Sequence, residues 1–175
     1  MALFLMHSYV EKRRLKQSSN YKKRTVALNR IAWRFTKEIY TDSARFNQDV
    51  VVYQLAIYQK DSNWEPNAIA VAVPELQVQY MAWVKEPSDL LENETLIDED
   101  KQVFEEEPEE EMHQVEILAK LKANDGEKFT ALEFLMKAHN QQANKDLGDH
   151  IFFEGTDDTP RIINGLPTYF IACGS

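Results

Sequence analysis

The residues of this sequence best suited to chemistry gather in one stretch, "GDHIFFEGTDD", which runs from 148 to 158. In a strand, His150 and Glu154 would share a face, because side chains alternate between the two faces. A histidine beside carboxylates can bind a metal or act as an acid–base pair. We favour a structural interpretation, because the glycines and aspartates are typical of strand ends and turns. The side chains concerned are Asp149, His150, Glu154, Asp157 and Asp158.

Cys173 is the only cysteine, so one chain can form neither an internal disulfide nor a cysteine-based zinc site. A nucleophilic role with His139 or His150 would need an activating environment, and the flanking residues show no such signature. We interpret Cys173 as a small buried hydrophobic residue. The scarcity of cysteine favours a reducing compartment, and we expect a cytoplasmic protein.

Motifs of the common enzyme classes are absent from the sequence. There is no glycine-rich phosphate loop, no H-E-x-x-H pair and no G-x-S-x-G elbow. The acidic stretches lack the glycine turn of a calcium-binding loop. We therefore expect no catalytic residue, no metal and no cofactor, and we lean towards a protein that is not an enzyme. No apolar run reaches the length of a membrane span, so we expect no membrane partner.

Charge is distributed very unevenly along the 175 residues, which carry a net charge of −9. Residues 1–60 contain twelve Lys or Arg against four Asp or Glu, whereas residues 86–175 contain seven against twenty-two. Such an asymmetry points to a charged partner, either a protein or a nucleic acid. Pairing between the two halves of the chain is the third alternative.

The densest acidic stretch is "VFEEEPEEEMHQVE", from 103 to 116. Its six glutamates, here called the glutamate block, are Glu105, Glu106, Glu107, Glu109, Glu110 and Glu111. They predict an exposed surface that meets a basic protein partner. The leading hypothesis is a small non-catalytic binding protein: an inhibitor, an immunity-type protein or an adaptor that acts through charge.

The alternative hypothesis is nucleic-acid binding by the basic half of the chain. Lysine and arginine gain affinity for phosphates by releasing counterions, and Tyr21 and Trp33 are aromatic residues of the kind that stack on bases. The basic residues concerned are Lys12, Arg13, Arg14, Lys16, Lys22, Lys23, Arg24, Arg30, Arg34 and Lys37. The last three have helical spacing, which predicts a basic face on a helix.

The first half of the chain is predicted to contain a basic arm at 1–24 and an amphipathic helix at 26–40. The helix rests on Leu28, Ile31, Ala32, Phe35 and Ile39, which follow the i, i+3, i+4, i+7 rule. "TDS" at 41–43 would end this helix and cap a short turn. Residues 49–59 are β-branched and aromatic, and with "AIAVAV" and 76–84 they predict a meander of three antiparallel strands.

The second half begins with an acidic connector at 86–112. "VEILAKLK" then alternates like a strand, although a helix fits it nearly as well. Thr130 and Glu133 form a capping box for a helix, and Gly148 suits its C-terminal end. "HIFFEG" predicts a strand, and Asn164-Gly165 predicts a hairpin turn in "RIINGLPTYFIACG".

These elements predict an α+β fold, with an antiparallel or mixed sheet and two main helices packed on one face. Residues 25–175 would form a single domain that contains the acidic connector, and residues 1–24 would be an arm outside it. The sequence does not indicate an oligomeric state.

Overall fold

The computed structural model describes residues 28–61, 63–100, 102–105, 107 and 111–175. The predicted basic arm, with Lys12, Arg13, Arg14, Lys16, Lys22, Lys23 and Arg24, lies outside the described residues. Glu106, Glu109 and Glu110 of the glutamate block lie outside them as well.

Within the described part of the chain there are two α-helices and eight strands. The helices are α1 (Ser43–Tyr58) and α2 (Ala131–Gln142). The strands are β1 (Ile69–Val71), β2 (Glu75–Val84), β3 (Glu94–Leu96), β4 (His113–Lys122), β5 (Phe129–Thr130), β6 (Phe152–Thr156), β7 (Arg161–Ile163) and β8 (Leu166–Gly174). Short 3-10 turns occupy Pro87–Asp89, Asp98–Asp100 and Val103–Glu105. An α+β class is therefore confirmed.

The main sheet is mixed and has the strand order β3-β4-β2-β8-β6. Strands β2 and β4 pair antiparallel along their whole length, from Glu75 opposite Lys122 to Val84 opposite His113. Strand β8 runs parallel to β2 and antiparallel to β6 and β7. Strands β1 and β5 form a separate two-stranded sheet.

The core lies between one face of this sheet and α2. Alternate residues of β2 and β4 point to this inner face and are almost completely buried, because the side-chain period of a strand is two. Phe134 of α2 packs edge-on against Tyr169 of β8, with 6.0 Å between ring centroids. Helix α2 begins as predicted, since the Thr130 hydroxyl accepts a hydrogen bond from the Glu133 amide.

The predicted strand at 49–59 is wrong, because residues 49–58 belong to helix α1 and Gln59 is its C-terminal cap. Asp42 caps the helix by accepting a hydrogen bond from the Ala44 amide at 2.8 Å. Phe46, Val50 and Gln54, each four residues apart, form its buried stripe. The β-branched run misled the prediction because a buried helical face can override local strand preference.

The predicted helix at 26–40 is also wrong over the residues that the structure describes. After a short turn, residues 31–40 run extended, and Ile31, Trp33 and Phe35 are buried while Arg34 is exposed. Arg34 pairs with Phe152 as an antiparallel bridge, which adds this segment to the outer edge of β6. The apolar residues fit a period of two as well as a helical period, and tertiary packing decided between them.

Two amide side chains hold this extended segment to the helices. The Asn140 side chain accepts from the Tyr40 amide at 2.8 Å and donates to the Tyr40 carbonyl at 2.7 Å. The Gln54 side chain of α1 likewise accepts from the Ala32 amide at 3.1 Å and donates to the Ala32 carbonyl. These bonds satisfy backbone groups that a non-helical segment would otherwise leave unpaired.

His139 of α2 is completely buried against the same segment. Its Nδ1 accepts a hydrogen bond from Trp33 Nε1 at 3.0 Å, and its Nε2 lies 2.8 Å from the Glu38 carbonyl oxygen. This pair of contacts requires a neutral ring protonated on Nε2. Burial lowers the pKa of His139, which agrees with the neutral form.

Other local predictions have mixed outcomes. The strands at 76–84 and 115–122 and the hairpin are confirmed, and Asn164 and Gly165 both have positive φ, at 51° and 79°. The three-stranded meander is wrong, since β2 pairs with β4 and β8. Helix α2 ends at Gln142, so Gly148 does not terminate it.

Candidate functional site

The acidic connector is attached to the sheet at the β3–β4 edge. Its middle part supplies β3, and the Asp100 carboxylate accepts a hydrogen bond from the Glu116 amide at 2.6 Å. Phe104 packs edge-on against His113, with 5.3 Å between ring centroids, and Val103 also packs against the core. The segment before the glutamate block is therefore held in place by apolar packing and hydrogen bonding.

The described glutamates of the block point to solvent. Glu105, Glu107 and Glu111 are all exposed. Among the described residues, no cation forms an ion pair with any of them. Their carboxylates are therefore accessible, as the sequence predicted for these three positions.

The described basic residues of the first half lie elsewhere. Arg30, Arg34 and Lys37 are exposed. Arg34 extends the β6 end of the main sheet, where its guanidinium lies 5.9 Å from the centre of the Phe152 ring. The acidic connector lies at the other end of the strand order. Among the described residues, no ion pair joins Arg30, Arg34 or Lys37 to a carboxylate of the connector.

A groove of about 560 Å³ opens on the outer face of the sheet beside the connector. Its lining residues are Gln79, Thr95, Leu96, Ile97, Asp98, Glu99, Glu116, Leu118, Arg161, Ile163 and Asn164. Three carboxylates and one guanidinium give this lining a net negative charge. Leu118 and Ile163 supply apolar surface between the charged side chains.

Gln79 lies between the two opposite charges of this groove. Its Oε1 accepts a hydrogen bond from Arg161 Nη2 at 2.5 Å, and its Nε2 donates to the Glu116 carboxylate. Because Gln79 is almost completely buried, these two bonds determine the orientation of its amide. The sequence analysis did not identify these partners of Gln79, because they come from distant strands of the sheet.

A second polar cluster, which the sequence analysis missed, lies inside the protein. Glu94 accepts hydrogen bonds from the Tyr80 hydroxyl, from Gln141 Nε2 at 2.6 Å and from the Leu91 amide at 2.7 Å. Lys145 forms an ion pair with the same carboxylate. Burial raises the pKa of Tyr80 well above its ordinary value, and the charge of Glu94 raises it further. This cluster joins the connector to α2 and its C-terminal end.

The histidine and carboxylates of 149–158 do not form a compact site. His150 Nδ1 lies 2.9 Å from Asp149, and both side chains are more than half exposed. Glu154 lies instead beside Gly174, and its charge helps to raise the pKa of the Cys173 thiol. Asp157 and Asp158 lie in the bend between β6 and β7. In the part of the chain that the structure describes, no three metal-ligating side chains come together.

Cys173, His113 and His139 do not form a reactive arrangement either. Burial raises the pKa of the Cys173 thiol to about 12, and the charge of Glu154 adds to this effect. His139 is engaged by Trp33 and Glu38, and His113 packs against Phe104. These environments leave Cys173 a poor nucleophile at neutral pH.

Comparison with family models, with curated proteins and with solved structures finds no match to this chain. Among the described helices, none is long and apolar enough to cross a membrane.

Proposed function

We propose that this protein is a small non-catalytic binding protein whose acidic surface meets a basic protein partner. It would act as an inhibitor, an immunity-type protein or an adaptor. The observation that carries the proposal is the connector, which is attached to the sheet by Asp100 and Phe104 while Glu105, Glu107 and Glu111 remain exposed and unpaired by described cations. The single cysteine agrees with a reducing compartment such as the cytoplasm.

Attachment matters because a held segment loses less conformational entropy on binding than a free one. Ordering a side chain at an interface costs about 0.5–1.5 kcal/mol, and ordering the backbone adds to this cost. Val103, Phe104 and Asp100 already order the approach to the glutamate block. A basic partner would therefore meet carboxylates that are partly positioned before it binds.

The groove beside the connector extends the same negative surface onto the face of the sheet. Asp98, Glu99 and Glu116 contribute carboxylates, and Leu118 and Ile163 contribute apolar area. Lysine and arginine side chains need both kinds of contact, because their aliphatic stems bury against apolar surface while their charged ends stay polar. The groove thus supports a basic protein as partner.

The nucleic-acid alternative relied on the basic arm and on a basic helix face at 26–40, and the second of these is not formed by the described residues. Arg30 lies in a turn, and Arg34 and Lys37 lie on the extended segment that follows, so these three residues do not share a helix face. The contribution of residues 12–24 stays a prediction.

The proposal is tested by capture of proteins from a cell lysate at about 0.05 M salt, where screening of exposed charges is weak. The test variant is Glu105→Gln/Glu107→Gln/Glu111→Gln. The matched control is Asp61→Asn/Glu65→Gln/Glu127→Gln, which removes three exposed carboxylates outside the acidic connector. We expect mass spectrometry to identify basic proteins that the unchanged protein and the control retain and the test variant loses. Equal retention by the test variant would reject the proposal.

A further inference from the structure

The groove beside the connector crosses several strands on the outer face of the sheet. Thr168 of β8 pairs with Gln77 of β2 on one side and with Arg161 of β7 on the other, so β7 and β3 lie at opposite ends of the groove. Gln79 and Leu118 lie between these ends, and each is only 3% exposed. The groove therefore has a buried floor between a wall at β7 and a wall at β3.

The two walls of the groove differ in charge. The wall at β7 carries the guanidinium of Arg161 and the side-chain amide of Asn164. The carboxylates of Asp98, Glu99 and Glu116 line the side towards β3. A ligand that lies across the groove therefore meets a cation at one end and anions at the other.

Gln79 holds the nearest two of these charges apart. Its amide accepts a hydrogen bond from Arg161 and donates one to Glu116, so the guanidinium and the carboxylate lie at opposite ends of one buried amide. In the ranges that the structure describes, neither Arg161 nor Glu116 forms an ion pair with another side chain. A guanidinium has five N–H donors and a carboxylate accepts several hydrogen bonds. Both groups therefore keep hydrogen-bonding capacity for a ligand.

We propose that this groove binds a short peptide with free ends, whose carboxylate contacts Arg161 and whose ammonium group contacts Glu116. In a free α-amino acid both charges are attached to one carbon atom. A dipeptide separates them by a peptide unit, as the Gln79 amide separates Arg161 from Glu116. The volume of about 560 Å³ lies within the range of about 300–1,000 Å³ that is usual for pockets of small ligands. Leu118 and Ile163 offer apolar contacts to the side chains of the peptide.

The charges of the groove are positioned before a ligand arrives. Gln79 belongs to β2 and Glu116 to β4, and these strands pair along their whole length. The hydrogen bonds of the buried Gln79 amide restrict the side chains of Arg161 and Glu116. A ligand therefore loses less of its binding free energy to the ordering of the site.

Arg161 distinguishes this site from a surface that acts through negative charge alone. A purely acidic groove would bind a cationic ligand best, and a carboxylate on the ligand would weaken binding. A guanidinium reverses this preference, because guanidinium and carboxylate groups form two parallel hydrogen bonds. The inference goes beyond the proposed function, since it requires no contact with the glutamate block.

The test is calorimetric titration of the full chain with a panel of dipeptides that have aliphatic side chains, among them leucyl-leucine. Each dipeptide is compared with its N-acetylated and its C-amidated form. We expect the unmodified dipeptide to bind at least about tenfold more tightly than either modified form, because each modification removes a charged hydrogen-bonding partner. Tighter binding of the amidated forms would show attraction to negative charge alone and would overturn the proposal. Failure of every unmodified dipeptide to bind would overturn it as well.

Variants of the protein locate the site. Arg161→Gln should abolish the preference for the free carboxylate over the amide, whereas Arg34→Gln, which removes an exposed arginine outside the groove, should keep it. The same preference in both variants would contradict the assigned contact. Glu105→Gln/Glu107→Gln/Glu111→Gln should leave the affinity for the dipeptide unchanged. The dipeptide site and the glutamate block can therefore fail independently of each other.

Discussion

Lys145 and Glu94 form an ion pair inside the protein, with 2.8 Å between Nζ and Oε2 and side chains that are only 1% and 0% exposed. Lys145 also donates to the Asn144 side chain at 2.8 Å. The pair connects β3, in the middle of the acidic connector, with the turn that follows α2. It therefore holds the candidate surface to the core.

Loss of one partner of this pair should be strongly destabilising. In Lys145→Met the Glu94 carboxylate would stay buried without its cation, and we expect the free energy of unfolding to fall by about 3–5 kcal/mol. Urea unfolding at pH 7 measures this change. The double variant Glu94→Gln/Lys145→Met should recover part of the loss, because it removes the unpaired charge as well.

The control for this prediction is Lys128→Met, which breaks the exposed pair between Lys128 and Asp125. We expect no measurable change in the unfolding midpoint, because water solvates both charges in either state. If Lys145→Met and Lys128→Met had similar midpoints, the structural role of the buried pair would be refuted.

Stability should depend on the protonation of His139. Its pKa is lowered by burial in the folded state, so its contribution is complete above the unfolded value of about 6.5 and is lost as pH falls through the lowered folded value. The free energy of unfolding should therefore decrease as the pH is lowered from neutral to mildly acidic values. A charged ring could no longer accept the hydrogen bond from Trp33.

Two variants isolate this effect. His139→Phe should show a smaller decrease over the same pH range, whatever its absolute stability, because the titrating group is gone. His150→Gln should keep the full decrease, since that side chain is more than half exposed. An unchanged pH slope in His139→Phe would mean that another group is responsible.

Asn140 should stabilise the extended segment locally. Asn140→Ala removes both hydrogen bonds to the Tyr40 backbone, and we expect a loss of about 1–3 kcal/mol. Hydrogen exchange at the Tyr40 amide should accelerate accordingly. Asn67→Ala, at an exposed position, should leave that amide as protected as before. Equal protection in the two variants would contradict the assigned contact.

The β7–β8 turn depends on the left-handed backbone of Gly165. Gly165→Ala should lower the unfolding free energy by about 1–2 kcal/mol, because a side chain at positive φ is strained. The space beside Gly165 is open, so a clash would not contribute. Asn164→Gly should be nearly neutral, since glycine adopts the same conformation freely. Thermal unfolding compares the two variants, and equal melting temperatures would argue against this turn.

The sequence predicts those elements whose local signals agree with the final packing. Asn164-Gly165 and Thr130 mark the hairpin and the start of α2, and both signals act over a few residues. The sequence predicts a helix at 26–40 and a strand at 49–59, whereas the described residues of the first form a non-helical segment and those of the second belong to helix α1. Their apolar residues fit two periods, and burial of Trp33 and Phe46 in one aromatic cluster decided the outcome.

The candidate site was predictable only in its exposed part. A run of glutamates must stay in water, and Glu105, Glu107 and Glu111 do so. The pair between Glu94 and Lys145 had no local signal, because its members come together only when β3 packs beside the turn after α2. Single-sequence patterns do not show which charged residue will be buried with a partner.

The central claim is that the glutamate block attracts a basic partner. It is tested most directly by the rate of association with immobilised poly-lysine at increasing salt. We expect the rate constant to fall steeply with salt for the unchanged protein and for Asp61→Asn/Glu65→Gln/Glu127→Gln, because steering by exposed charge is screened. Glu105→Gln/Glu107→Gln/Glu111→Gln should associate more slowly at low salt and depend less on salt. Identical rate constants for the two triple variants at every salt concentration would contradict the claim.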